Sequence, residues 1–185
     1  MHAGIIVGHE KAKPGAFSTH LNSHEYEWNK ELADMIASAM KEIKSNIIYR
    51  DRIGVIGAYS EADRLGSKIC IELHFNSSHS QSASGTGILY YPGSKNGRRL
   101  AEAIFKEMKP VLGLPDWPKG TSGIATPYQA SGSERRGEYS LGAGKAPAVL
   151  LEPFFGSNSL DCHRAHERKN DLAEAIASAM RSYLS

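Results

Sequence analysis

The sequence predicts an α/β fold: one domain over residues 1–185, with a twisted, mostly parallel sheet flanked by helices. Three observations predict it. Short apolar runs alternate with amphipathic stretches along the chain, as they do in successive βα units. The late run "AVLLEPFF" is apolar but for Glu152, which marks a buried strand. No internal repeat, and no linker that would split the chain, interrupts the alternation.

The elements follow in order. Within "AGIIVGHE", residues 3–8 form a first strand, and the polar loop "KAKPGAFSTHLNSH" follows. From Glu25 onward Trp28, Leu32, Met35, Ile36, Ala39, Met40 and Ile43 recur at steps of three and four, giving a helix with one apolar face. "NIIYR" is a second strand, and residues 60–67, "SEADRLGS", make a short helix ending near Gly66. The third strand lies in "CIELHFNSS", residues 70–78. There Ile69, Ile71, Leu73 and Phe75 share one face, and Cys70, Glu72, His74 and Asn76 share the other. "GTGILYYP" is a fourth strand, and "KNGRRLAEAIFKEMK" is a helix with Leu100, Ile104 and Met108 on one side. Residues 113–146 are rich in glycine, proline and serine; a loop of that length in a compact domain is usually functional or disordered. "AVLLEPFF" and an amphipathic helix in "HERKNDLAEAIASAMRSYLS" complete the chain.

Composition narrows the function. A net charge of +2 gives no case for nucleic acid as a partner. The two cysteines, Cys70 and Cys162, form no CxxC pair and no disulfide framework, which fits folding in a reducing cytoplasm. No apolar run reaches membrane-spanning length. "MHAGIIVGHE" lacks the basic, apolar and small-residue regions of a secretory signal.

The polar residues at strand ends carry the chemistry. His9 follows the first strand, His74 lies late in the third, and Glu152 ends the last. Open α/β sheets gather their ligands beyond the carboxyl ends of their strands. Glu25, opening the first helix, must pack back onto the same sheet. Two imidazoles and a carboxylate are a common catalytic zinc set, with the fourth position left for water. Zinc lowers the pKa of its water from about 15.7 to about 7, and a further carboxylate can take the proton. His9, Glu25 and His74 as ligands with Glu152 as general base therefore make a complete hydrolytic site.

Plainer readings compete. Taken alone, His9 reads more readily as a loop histidine after a glycine, and Asn22 with Glu25 fits a capping box. Glu27 rivals Glu25, and His24 and His79 are substitutes for the imidazoles; His2, His20, His163 and His166 read as solvated. A charged, unpaired carboxylate inside an apolar strand is costly, so Glu152 is protonated, paired or catalytic.

At these positions the sequence resembles the zinc-dependent N-acetylmuramoyl-L-alanine amidases of the type-3 group. That family cuts the amide between the lactyl group of N-acetylmuramic acid and L-alanine in bacterial peptidoglycan. Gly8-His9 matches the family's opening pair, and "EYEWN" places Glu25 four before Asn29, which favours Glu25 over Glu27. His74-Phe75-Asn76 matches His-x-Asn, and Glu152, Phe155 and Asn158 match the late Glu-x-x-Phe-x-x-Asn. The likeness spans nearly the whole chain in the right order, and "IELHFN" with "LLEPFFGSN" looks most like phage and prophage endolysins. Ile6-Val7 replaces the usual Asp-Pro, Glu10-Lys11 the usual Gly-Gly, and Glu72 the usual serine.

The resemblance implies a zinc amidase acting on peptidoglycan, with His9, Glu25 and His74 on the metal and Glu152 as base. Glu72 is expected either to support His74 by a hydrogen bond or to pair with Arg64 or Lys68. Asn76 is expected to tie down the following loop or to meet substrate. Arg135 and Arg136 are expected either to meet stem-peptide carboxylates or to form a solvated basic turn. A monomer is expected, with no appended wall-binding domain and no stable membrane insertion. It is expected to be synthesised in the cytoplasm and released to the wall through a holin-type partner. A zinc carboxypeptidase on stem peptides and a non-catalytic wall- or metal-binding protein are the alternatives. A Cys162–His163 hydrolase fits least, because reactive pairs normally meet from separate segments.

Overall fold

Strands that are apolar on both faces can only be buried between two layers, and the sheet is built that way. The computed structural model describes residues 1–132 and 137–185. Its first half contains β1 (His2–Val7), β2 (Phe17–Ser18), β3 (Ser23–His24), α1 (Glu25–Ala39), β4 (Lys44–Tyr49), α2 (Gly54–Arg64), β5 (Ile69–Leu73) and β6 (Gly87–Tyr90). The second half contains α3 (Lys95–Leu112), β7 (Ile124–Ala125), α4 (Pro127–Ser131), α5 (Glu138–Leu141), β8 (Ala148–Glu152), α6 (Ser159–Glu167) and α7 (Lys169–Leu184).

Six strands form one sheet in the order β4-β1-β5-β8-β6-β7, and β2 with β3 makes a separate antiparallel pair. β4, β1, β5 and β8 run parallel. β6 is antiparallel to β8 and parallel to β7, so the far edge reverses direction. The expected twisted, mostly parallel α/β architecture is therefore present, with a mixed edge.

Alternate residues of each strand feed two cores. Ile5, Val7, Ile71, Leu73, Val149 and Leu151 pack with Leu32 and Ile36 of α1, Leu100 and Ile104 of α3, and Ile176 and Met180 of α7. Ile6, Ile48, Cys70, Leu89 and Leu150 face the other way, onto Ala58, Tyr59 and Ala62 of α2 and Leu141 of α5. Long helices cover the first face, whereas short ones cover the second. Glu72 and Glu152 are in phase with this second, thinner side, since Glu72 pairs with Leu150 in register.

Several elements differ from the sequence reading. α2 begins at Gly54, six residues before the expected start. Gly54 and Gly57 weaken the helical signal, while burial of Ala58, Tyr59 and Ala62 stabilises the extra turns. α3 runs through Pro110 to Leu112, whose side chain is buried, and closes at Gly113 with φ 60°. The stretch 113–146 supplies β7, α4 and α5, elements too short to show periodicity. The final helix is two, α6 and α7, meeting at Arg168. Both cysteines are buried and free.

Asp161 fixes the loop after the central strand. It is fully buried and accepts hydrogen bonds from the Ser84 hydroxyl (2.6 Å), Gly85 N–H (3.1 Å) and Phe155 N–H (3.0 Å). One carboxylate thereby ties the chain entering β6 to the chain leaving β8, three residues beyond Glu152. Asp161→Ala should leave two backbone donors unsatisfied in the interior and cost on the order of 3 kcal/mol. Urea titration should show a lower midpoint at an unchanged slope; a midpoint within error of the native protein would refute this role.

Candidate active site

The parallel strands bring their carboxyl ends to one edge, and the chain leaves each strand there with a polar side chain. β1 ends at Val7 and passes through Gly8 to His9. A Cβ on Gly8 would lie 2.3 Å from the Leu73 carbonyl oxygen and 2.6 Å from the His74 ring, so glycine is required for this approach. His9 then adopts φ 65°, a left-handed turn that returns its ring over the edge. β5 ends at Leu73, and His74 follows immediately. The His74 amide still bonds to the Leu151 carbonyl at 3.1 Å, which keeps it beside β8 and Glu152.

Glu25 is the first residue of α1, behind N-cap His24, which makes no side-chain cap. The expected box with Asn22 does not form, because the Glu25 carboxylate turns inward instead. One oxygen stands 2.8 Å from His74 Nδ1 and accepts the Phe75 N–H at 3.1 Å; the other stands 3.1 Å from His9 Nε2. Glu25 is 4% exposed, whereas Glu27 is exposed, so Glu25 is the carboxylate that meets the histidines. Burial alone would raise its pKa, but hydrogen bonds from His74 and His9 outweigh that and hold it at about 2. Gly15 admits this packing too: a Cβ there would lie 2.8 Å from the Glu25 carboxylate.

The donor atoms of His9, Glu25 and His74 all lie within 4.8 Å of one another. Two imidazoles and a buried anion converging this closely fit a divalent cation in donor type and charge. His24 and His79 stand apart: His24 packs edge-on against Phe17, and His79 is exposed.

Behind His74 lies Glu72. Its carboxylate is 3.2 Å from His74 Nε2, accepts Arg50 Nη1 at 3.1 Å, and accepts the Tyr59 hydroxyl at 2.9 Å. The partner cation is Arg50, not Arg64 or Lys68; Arg64 pairs with Glu61 on its own helix. Burial would raise the Glu72 pKa, yet the His74 hydrogen bond and the charges of His74 and Arg50 keep it below the ordinary carboxylate value. His74, whose burial works against charge, is held well above its usual value by Glu25 and Glu72. Glu72 occupies Nε2 and leaves Nδ1 directed at Glu25, the orientation a ligating imidazole needs.

His9, Glu25, His74, Glu72 and Glu152 line one cleft of about 500 Å³, closed on its other side by Val55, Leu89, Leu150 and Tyr139. Glu152 ends β8, half-buried at this rim rather than within the core. Asn76 also lines the cleft; its side-chain oxygen accepts the Ser77 N–H at 2.9 Å, and its backbone bridges to Phe155. Arg135 and Arg136 lie outside the described residues. Sequence reasoning missed Arg50 and Tyr59. Arg50 had a signal, as a cation placed directly after a strand, but Tyr59 is buried on a helix whose start was misread.

No curated protein sequence matches the chain. Among solved structures, the catalytic domain of CwlV, an N-acetylmuramoyl-L-alanine amidase from Bacillus (Paenibacillus) polymyxa, superposes with a TM-score of 0.79 at 24% identity, covering 100% of this chain and 98% of that one. An N-acetylmuramoyl-L-alanine amidase from Clostridium difficile 630 gives 0.82 at 19% identity, covering 99% and 96%. The catalytic domain of the CD27L endolysin targeting Clostridia difficile gives 0.71 at 24% identity, covering 98% and 97%. These likenesses establish a shared fold. The family model described as N-acetylmuramoyl-L-alanine amidase matches residues 4–182, nearly the full length, and the chain belongs to that family.

Proposed function

We propose that this amidase cleaves the bond between N-acetylmuramic acid and L-alanine with His9, Glu25 and His74 holding a zinc ion and Glu152 as general base. The convergence of the three donor atoms at the mouth of the cleft that Glu152 also lines carries this reading. A zinc ion held there would supply Lewis acidity, polarising the lactyl carbonyl and acidifying a water. Glu152 takes the proton of the attacking water and passes it to the departing L-alanine amine. Glu25 completes the donor set with the two histidines, and Glu72 fixes the orientation of His74. A carboxypeptidase would cut within the stem peptide, whereas the amidase frees that peptide intact, so mass spectrometry of digested peptidoglycan separates them.

No helix among the described residues is long and apolar enough to cross a membrane. One structural relative is an endolysin domain, which supports reading the chain as a lysis enzyme; we further propose that it acts as a monomer and reaches the wall through a holin-type membrane lesion. Expressed alone it should leave cells intact, and lysis should follow when the membrane is permeabilised; rapid lysis without a lesion would overturn this.

The site makes separable demands on its residues. The native protein should hold one zinc per chain, lose turnover to a strong chelator and regain it with zinc; full turnover in metal-free protein would refute the metal reading. Glu152→Gln keeps shape but cannot accept a proton, so turnover should fall by about a hundred- to ten-thousand-fold with zinc retained. His74→Ala should lose metal and turnover together. Glu72→Gln should weaken zinc binding by about ten- to a hundredfold in a competition titration. Near-normal turnover in zinc-loaded Glu152→Gln would remove Glu152 from the base role, and unchanged zinc affinity in Glu72→Gln would remove Glu72 from support of the site.

A further inference from the structure

Arg50 follows directly on β4, at the same strand edge as the catalytic cluster, one register step past the Val7–Tyr49 pair. It lines the cleft and is the one lysine or arginine to do so among the described residues. Its side chain is 19% exposed. Among the described residues Glu72 is the one acceptor its guanidinium meets, through Nη1 at 3.1 Å, and Nε is buried with no hydrogen-bond partner. Arginine carries five N–H donors in a planar fork. Here one arm is fixed to a buried carboxylate that Tyr59 also holds, so the fork is oriented while donors remain for an acceptor arriving from the cleft.

Charge selects that acceptor. Glu25, Glu72 and Glu152 line the same cleft, so an anionic group of the substrate has a favourable place only at a cation. Near the scissile amide the glycan is neutral, its lactyl carboxyl being tied up in the bond. The peptide side carries carboxylates, and the first beyond L-alanine is the α-carboxylate of the second stem residue. Guanidinium and carboxylate match in shape and charge.

We propose that Arg50 is a subsite for a stem-peptide carboxylate, receiving the α-carboxylate of the residue that follows L-alanine. This rests on the amidase reading above. It makes the enzyme sensitive to whether that carboxylate is free or amidated.

Two synthetic substrates test it: N-acetylmuramoyl-L-alanyl-γ-D-glutamyl-L-lysine and its D-isoglutaminyl counterpart, in which the α-carboxylate is a carboxamide. Native enzyme should favour the acid in kcat/KM by roughly ten- to a hundredfold, the range for a hydrogen bond to a charged group. Arg50→Gln should bring the ratio close to one. Arg50→Lys keeps the charge without the fork; it should give an intermediate ratio, and it serves if the glutamine variant does not fold. Tyr59→Phe keeps the guanidinium but loosens the carboxylate that orients it, so it should narrow the ratio without abolishing it, with zinc content measured alongside. The proposal is overturned if native enzyme shows no preference, if the preference survives Arg50→Gln, or if Tyr59→Phe erases it equally, since Arg50 would then act only through Glu72. If native enzyme cleaves neither substrate, the amidase reading itself fails, an outcome distinct from these.

Discussion

A buried carboxylate must be met on every side by donors, and Glu25 is the point where that requirement organises the molecule. Its two oxygens reach different histidines, one from the end of β1 and one from the end of β5, and a backbone amide besides. Leaving such a charge unpaired would cost several kcal/mol, so the start of α1 cannot drift from the sheet edge. The glycine at 15 follows from this, because a side chain there would meet Glu25 and His9, and the glycine at 8 lets His9 pass close to His74. The site is thus held by the demands of charge burial as much as by apolar packing.

The sheet divides its labour between its faces. One is covered by three long helices and forms the larger core. The other is covered by α2 and α5, which are shorter and leave an opening at the carboxyl edge. Glu72, Leu150 and Glu152 point to this thinner side, so the cleft arises where cover runs out. Apolar residues of the same face continue as its wall, giving a half-apolar groove beside the charged cluster.

Much of this was legible in the residues. The alternation in "CIELHFNSS" placed Glu72 and His74 on one face, and "AVLLEPFF" marked a buried strand ending in a carboxylate. Glu25 and Glu27 were equivalent by pattern alone; only the family likeness favoured the one that is buried. Of the four residues on the polar face of β5, Cys70 belongs to a second core. Arg50 stood out only as a cation at a strand end; that it and Tyr59 meet Glu72 was not legible, because those contacts span 22 and 13 residues and no local periodicity encodes them. The small elements in 113–146 escaped for a related reason: a two-residue strand gains its stability from the neighbour it pairs with, not from its own composition.

The place of β8 in the sheet has a consequence for biosynthesis. It lies between β5 and β6, yet it is the last strand made. A chain emerging from the ribosome in order can pair β4, β1 and β5, but β6 and β7 have no attachment to them until β8 is inserted. Such long-range closure is slow compared with local contacts. Glu152 arrives with that strand, so the residue assigned to proton transfer enters with the strand that joins the two parts of the sheet. Nascent fragments ending before it contain His9, Glu25 and His74 but lack Glu152, so the side chains proposed for the site come together only in the finished sheet.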